Sequence, residues 1–427
     1  LKSYPDLNRV ILQEDKQMKQ VHVEPEQQVW KDPRAIALLM AATLTVMANA
    51  TISPALAGLE EMFRDDPNVL WLSRLLVSTP SLTVIICAPL AGVIADRYGR
   101  RALLLVGVLL FAVMGSAGMI LPDLTSILVS RLGLGIAVAM VMTAQTALIG
   151  DYFVGNQRSS LMGLQTSARN FGGFLFISMA GLLAVTSPRL PFAIYGLALL
   201  MVPFLWRYIS EPVKHSAVAK KVANAEDDGS PAWVWLLAAL ALLQMLTNMI
   251  FFLMPTQLPF FLDAQGYDSA SMTGAALGAL MLTGGTAALL YGRIKARVGY
   301  SGAFTLAYGF MAIGLMLLTL QETWSVFLGT ASMGAGYALA MPNFPAIALQ
   351  VAPSFRRGMA GGVLTSSVFL GQFLSVFVSI PLIAAVGFAG TFRIVATALT
   401  CMALIGLLVF IWRSVRRAAT AFVRMEN

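Results

Sequence analysis

Gly92-Val93-Ile94-Ala95-Asp96-Arg97-Tyr98-Gly99-Arg100-Arg101 forms a short charged gap between two long apolar runs, and its frame returns 200 residues later as Gly292-Arg293-Ile294-Lys295-Ala296-Arg297-Val298-Gly299. One glycine-rich basic turn carries little information. Two at matching places in a mostly apolar chain imply a duplicated membrane bundle. The repeat extends on both sides. Arg158, Gly163, Thr166, Ser167, Gly172, Phe174 and Leu175 recur, shifted by 199, as Arg357, Gly362, Thr365, Ser366, Gly371, Phe373 and Leu374. Gly133-x-Gly135 likewise returns as Gly334-x-Gly336, shifted by 201.

The chain is 58% hydrophobic and only 12% charged, against about a quarter charged in soluble domains. Twelve apolar runs are long enough to cross about 30 Å of hydrocarbon as helix. They cover residues 35–58, 70–95, 101–121, 126–149, 159–185, 189–208, 232–262, 271–292, 301–320, 324–350, 358–386 and 390–412. The runs are continuous, without the alternation of barrel strands. The expected fold is therefore an all-α membrane protein, with twelve transmembrane helices in two six-helix bundles related by a pseudo-two-fold axis. A tail (1–34), an N-terminal bundle (35–208), a polar linker (209–231), a C-terminal bundle (232–412) and a second tail (413–427) divide the chain. Gly133, Gly135, Gly172, Gly173, Gly334, Gly336, Gly361 and Gly362 offer small positions for helix contact.

Placing both termini on one side gathers 23 of the 29 Lys and Arg residues there, and only Arg64 and Arg189 fall in the opposite loops. The positive-inside rule makes that side cytoplasmic, so the expected location is the inner (plasma) membrane. The formal charge of +8 is spread over seven segments and reads as topology, with no nucleic-acid patch. Cys87 and Cys401 both lie inside spans and read as packing residues. The first 34 residues, polar and mixed in charge, do not resemble a cleavable leader.

With twelve spans in two halves and the turn at Gly92 to Arg101 between spans 2 and 3, the chain resembles the major facilitator superfamily. That family's signature there is Gly-x-Leu-Ala-Asp-Arg/Lys-x-Gly-Arg/Lys-Arg/Lys, and Ile94 is the single departure. Arg131-Leu132-Gly133-Leu134-Gly135 matches the Arg and Gly-rich stretch of span 4. The overall pattern is most similar to the twelve-helix drug:proton antiporter branch, although that branch's span-5 signature, Gly-x-x-x-Gly-Pro-x-x-Gly-Gly, is replaced by Arg169-Asn170-Phe171-Gly172-Gly173-Phe174. The resemblance implies a secondary transporter working by alternating access. It also implies a gating latch on the inner side made by Gly92, Asp96, Arg97, Gly99, Arg100 and Arg101, with Asp96 near the start of span 11 and Arg101 paired to Asp151 at the end of span 4. Ala296 replaces the acid in the second copy, so the latch is expected to be asymmetric.

All 21 Asp and Glu residues fall in tails, loops or helix ends, leaving no carboxylate deep in a span to relay protons. His22 and His215 also lie outside the spans. Arg169, about 11 residues into span 5, sits roughly 16 Å deep at 1.5 Å per residue. A cation there needs a partner or a wet cavity, and a guanidinium facing a cavity can grip a carboxylate or phosphate through two hydrogen bonds. Arg169 is the leading substrate-contact candidate, the alternative being hydrogen bonds to helix carbonyls or amide side chains. Arg131, about 8 Å from the outer end of span 4, is a second candidate, by the resemblance a residue of proton coupling or charge sensing, with packing and hydrogen bonding as the alternative role. Arg74 is expected to reach the interface.

Asn49, Gln145, Asn170, Gln244, Asn248 and Asn343 are the uncharged pocket candidates, with Thr51 and Gln372 beside them. The resemblance places spans 1, 4, 7 and 10 around the cavity. Interhelical hydrogen bonding is the competing role for each. Phe251, Phe252, Met254, Phe260 and Phe261 suit an apolar wall or gate, with lipid contact and core packing as equal alternatives, and Met142 and Met245 suit an adaptable surface. Pro54, Pro80, Pro255, Pro342 and Pro345 interrupt spans. Metal clusters, nucleotide loops and nucleophile constellations are absent from the sequence, so neither a cofactor nor enzyme chemistry is expected. The expected partners are a small-molecule substrate, membrane lipids and either protons or a counter-transported anion. A monomeric exporter of a small organic anion or zwitterion is the leading reading; efflux of drugs or lipid-like amphipaths, or a non-transporting receptor on the same fold, are the alternatives.

Overall fold

The structure is a computed structural model that describes residues 31–153, 155–211, 232–353 and 356–426. The expected first tail and linker lie, but for residues 31–34 and 209–211, outside the described residues. The stretch expected as a C-terminal tail continues the last helix as far as Glu426.

Among the described residues, nine helices are long and apolar enough to cross a membrane. Two of these are double. Gly299 (φ 68°) interrupts Ser269–Leu318, and Gly387 (φ 73°) interrupts Arg357–Glu426. Both glycines adopt positive φ, which costs a residue without Cβ little, and each closes a tight turn between two spans. A further span is split at Met341 and Pro342 into Thr323–Ala340 and Asn343–Val351. Twelve spans result. The N-terminal set is α1 (Pro33–Met62), α2 (Val69–Tyr98), α3 (Arg100–Met119), α4 (Leu124–Tyr152), α5 (Gly155–Thr186) and α6 (Leu190–Tyr208). The C-terminal set is α7 (Trp233–Ala264), α8 (269–298), α9 (300–318), α10 (323–351), α11 (357–386) and α12 (388–426).

Proline chemistry breaks equivalent spans in the two halves. Pro54 has no N–H for the carbonyl of Ala50, and Pro255 none for that of Phe251. The regular helix of α1 ends at Ala50, and that of α7 ends at Phe251. Pro345 stands in the same relation to Met341, where α10 breaks.

Within each half the packing repeats. Thr83 of α2 donates to the Leu132 carbonyl of α4 at 3.0 Å, and Thr283 of α8 donates to the Ala331 carbonyl of α10 at 2.8 Å. A Cβ on Gly135 would meet the Thr83 hydroxyl and the Pro80 carbonyl, and one on Gly334 would meet the Leu280 carbonyl and the Thr283 hydroxyl. Contacts therefore equate Gly135 with Gly334. The 201-residue alignment of Gly-x-Gly is corrected by this: Gly133 faces α3 at Met114, whereas Gly336, not Gly334, faces α9 at Ala307 and Met311.

Large apolar side chains remain exposed around the bundle, among them Val93, Val113, Leu182, Leu200, Trp235 and Leu408. Their burial requires lipid, and the chain is a multi-pass membrane protein. Cys401 is exposed among them, so the expected packing role fails there; Cys87 is partly buried, and both thiols are free.

Candidate transport site

A cavity of about 480 Å³ lies between the halves, lined from α1, α4, α5, α7, α8, α10 and α11. Its polar groups include Asn49, Thr166, Arg169, Asn170, Gln244, Tyr337 and Gln372. Among the described residues of the lining, Arg169 is the single charged one, and no Asp, Glu, His or Lys accompanies it.

Local packing carries Arg169 there. A Cβ on Gly172 would sit 2.7 Å from Thr43 of α1, and one on Gly173 would sit 2.8 Å from Val46 of α1 and 3.0 Å from Met281 of α8. These glycines let α5 press between α1 and α8, with Arg169 one turn earlier at the cavity wall. Among the described residues Arg169 makes no hydrogen bond or ion pair, and its Nε is buried without a partner. Opposite stands Tyr337, whose ring stacks on Phe251 with centroids 3.7 Å apart. Its hydroxyl donates to Asn248 Oδ1 at 2.8 Å.

Of the amide candidates, Asn49, Asn170 and Gln244 line the cavity, whereas Gln145, Asn248 and Asn343 do not. Gln145 donates to the Leu38 carbonyl at 2.6 Å. Asn248 donates to the Gln244 carbonyl at 2.9 Å, and Asn343 donates to that of Leu339 at 3.1 Å. Arg131 also lies away from the cavity, fully buried, between the rings of Phe192 and Tyr195 at 4.6 and 4.7 Å. Sequence reasoning missed Tyr337, since an aromatic residue beside Gly336 in an apolar run reads as packing. Its phase beside the Gly-x-Gly pair was the available signal.

The end of the cavity away from the 92–101 turn is sealed by contacts between the halves. Ser81 of α2 and Asn49 of α1 both donate to Gln372 Oε1 of α11, at 2.8 and 3.2 Å. Arg74 of α2 donates to Gln257 of α7 at 3.3 Å, and Gln257 donates to Ser379 of α11 at 2.8 Å. Arg74 does not reach outward as expected. It is buried, paired with Glu60 at 2.6 Å and seated 3.7 Å over the Phe260 ring. Gly181 of α5 and Gly274 of α8 bring backbone against backbone.

At the turn end the halves are apart. The Asp96 side chain is 78% exposed and pairs with Arg100 of its own turn at 3.8 Å, and Cβ atoms on Gly292, Gly361 or Gly362 would meet open space. Among the described residues, Asp96 makes no hydrogen bond or ion pair with α11. The pairing of Arg101 with Asp151 is also corrected: Arg100 reaches Asp151, while Arg101 donates to the Trp206 carbonyl at 2.9 Å and lies over the Trp206 ring. Glu211 fixes the turn by accepting from the backbone N–H groups of Arg100 and Arg101 at 2.7 and 2.9 Å. Gly99 (φ 100°, ψ 149°) occupies backbone space nearly closed to other residues, and Gly92 and Arg97 lie on the last turns of α2 with Arg97 exposed.

The sequence model of the Major Facilitator Superfamily matches residues 38–320. The chain belongs to that superfamily. A stretch of 122 residues is 30% identical to the quinolone resistance protein NorA of Staphylococcus aureus, covering 29% of this facilitator and 31% of the relative. A stretch of 117 residues is 31% identical to multidrug resistance protein 1 of Bacillus subtilis, covering 27% and 30%. The matched stretch thus spans under a third of either relative. Among solved structures, a D-xylose-proton symporter superposes with a TM-score of 0.73 at 18% identity, over 88% of this chain and 96% of that one. The human organic anion transporter MFSD10 superposes with a TM-score of 0.65 at 19% identity, over 88% and 99%. At these identities the structures establish the fold.

Proposed function

We propose that this facilitator is a secondary transporter that exports small organic anions or zwitterions, chiefly planar carboxylates with an apolar body. The observation that carries the reading is Arg169, an unpaired guanidinium in a cavity otherwise lined by apolar and uncharged polar groups. A carboxylate would satisfy it with two charge-assisted hydrogen bonds. Phe251 and Tyr337 offer ring faces to the body of the ligand. The carbonyls of Ala50, Phe251 and Met341, which lose their i+4 donor to proline, offer acceptors for an ammonium or amide N–H. A volume of about 480 Å³ suits a drug-sized molecule, for which sites run about 300–1,000 Å³. The quinolone resistance named in one relative points the same way, since quinolones carry a ring carboxylate and often a basic amine.

In this reading the protein is a monomer in the plasma membrane, with both termini and the 92–101 turn cytoplasmic, so the state described is open inward. Arg169, Asn170, Asn49 and Gln244 contact substrate. Arg100, Asp151 and the glycine turn brace the gate, and Asp96 closes it when the halves meet. A second reading, efflux of varied drugs or lipid-like amphipaths, draws on the flexible Met142, Met281 and Met341 of the cavity wall.

Thermal stabilisation of the purified protein separates the two. A ligand binding the folded state raises stability by RT ln(1 + [L]/Kd). Stabilisation by naphthoate and a quinolone that disappears in Arg169→Gln supports the anion site. Stabilisation by lipophilic cations, unchanged by that substitution, moves the assignment to the second reading.

A further inference from the structure

Resting on the anion-carrier reading, we infer that this facilitator is an obligatory exchanger: it changes sides readily only with a carboxylate seated on Arg169, and so trades one organic anion for another without protons. The inference comes from the charge inventory of the cavity. Seven helices contribute to its wall, and among the described residues that line it the ionisable side chains are Arg169 and Tyr337. Tyr337 is engaged, its hydroxyl donating to Asn248. Arg169 stays charged throughout the physiological range, because a guanidinium does not release its proton in proteins. The site holds a permanent positive charge with no acid beside it.

In the open state that charge lines a cavity that water can enter, and water can screen it there. To change sides the halves must pass through a closed form in which both mouths are shut and little water remains. An uncompensated cation is strongly disfavoured there. A bound carboxylate neutralises it and supplies the two hydrogen bonds the guanidinium lacks, so the loaded carrier crosses and the empty one stalls. Proton-coupled carriers remove the same obstacle with a buried acid that ionises when substrate leaves. The acids nearest the ends of the pathway are placed elsewhere. Glu60 is held by Arg74 and Ser73 at the sealed end, and Asp96 and Asp151 are held by Arg100 at the open end. None is among the described residues that line the cavity.

The test uses the full chain in proteoliposomes loaded with radiolabelled naphthoate and diluted into sucrose, sucrose with naphthoate, or sucrose with chloride. External naphthoate is expected to accelerate efflux about tenfold or more over sucrose, the rate effect of ~1.4 kcal/mol, and an imposed pH gradient to drive no accumulation. A separate readout follows the carrier itself. With Cys87 and Cys401 replaced and a single cysteine in place of Phe260, at the sealed end, maleimide labelling should be slow without ligand and faster with naphthoate. Adding Arg169→Gln should make the empty protein label quickly. Efflux into sucrose as fast as exchange, or uphill uptake driven by protons, overturns the exchange inference while leaving an anion carrier. Acceleration by chloride equal to that by naphthoate overturns the requirement for a carboxylate. Absence of saturable naphthoate movement in every arm overturns the anion-carrier reading itself.

Discussion

Gly181→Ala tests the sealed end directly. A Cβ on Gly181 would lie 2.7 Å from the Cα of Gly274 and 3.1 Å from the Ala270 carbonyl; the reciprocal Cβ on Gly274 would lie 2.6 Å from the Gly181 Cα. All are backbone atoms, so no side chain can rotate aside. Carbon atoms rest about 3.5–4.0 Å apart, and α5 and α8 must therefore separate by roughly 1 Å. Overpacking of this kind costs about 1–3 kcal/mol. The cost falls on the form in which this end is closed and is relieved when it opens. At 1.36 kcal/mol per tenfold, the ratio of far-end-open to far-end-closed protein should rise about 5- to 150-fold. Labelling of a single cysteine at position 260, in a background lacking Cys87 and Cys401, should accelerate by the same factor in lipid nanodiscs. The melting temperature should move little, because the opened form escapes the clash. Unchanged labelling in a folded Gly181→Ala protein would refute the idea that this crossing closes only in one state. A cooperative loss of folding would show instead that the crossing is needed in both.

Gln257→Ala removes the side chain that links Arg74 to Ser379 across the halves. At about 1 kcal/mol per hydrogen bond, the same labelling should quicken by less than in Gly181→Ala, and a variant labelling like the parent would mean that the link bears no load. Gly99→Ala should lower the melting temperature measurably, since φ 100° with ψ 149° costs a non-glycine residue about 1–3 kcal/mol and the new Cβ would sit 2.9 Å from the Glu211 carboxylate. Replacement of the exposed neighbour Tyr98 by Ala is the matched control and should leave the melting curve in place.

The duplication was readable because the same backbone demands recur. A tight turn needs Gly99 and Gly299, a helix crossing needs Gly135 and Gly334, and a broken span needs Pro54 and Pro255. Such demands are local, so they leave the same letters in both halves. Register was less legible. Gly-x-Gly aligned by letter places Gly133 with Gly334, but helix neighbours equate Gly135 with Gly334, because a two-residue offset swaps which helix each glycine faces. The gate residues followed the same rule. The turn was found from its glycines, whereas its ion pairing was misassigned by one position, Arg100 instead of Arg101 meeting Asp151.

The candidate site was harder to read, for a reason particular to lipid. In a soluble helix a polar residue marks the wet face. Within a membrane every polar side chain must bond something, so a buried amide reads alike whether it lines a cavity or ties two helices. Gln145 and Gln244 both lie in apolar runs and are buried, yet only Gln244 meets the cavity. Arg131 and Arg169 pose the same problem more sharply, each a cation within a span. Arg131 is sandwiched by Phe192 and Tyr195, about 60 residues away on α6; its Nε and Nη1 also lack hydrogen-bond partners, and the rings together with the Gly115 carbonyl supply the compensation it has in a dry interior. Among the described residues, Arg169 has no such pair of rings around it and no acid beside it. What separates a packed arginine from a waiting one is therefore the identity of neighbours on other helices, which a single helix's sequence does not contain. The same distinction underlies the exchange proposal: Arg131 finds its compensation in rings of its own half, whereas Arg169 would borrow it from a ligand.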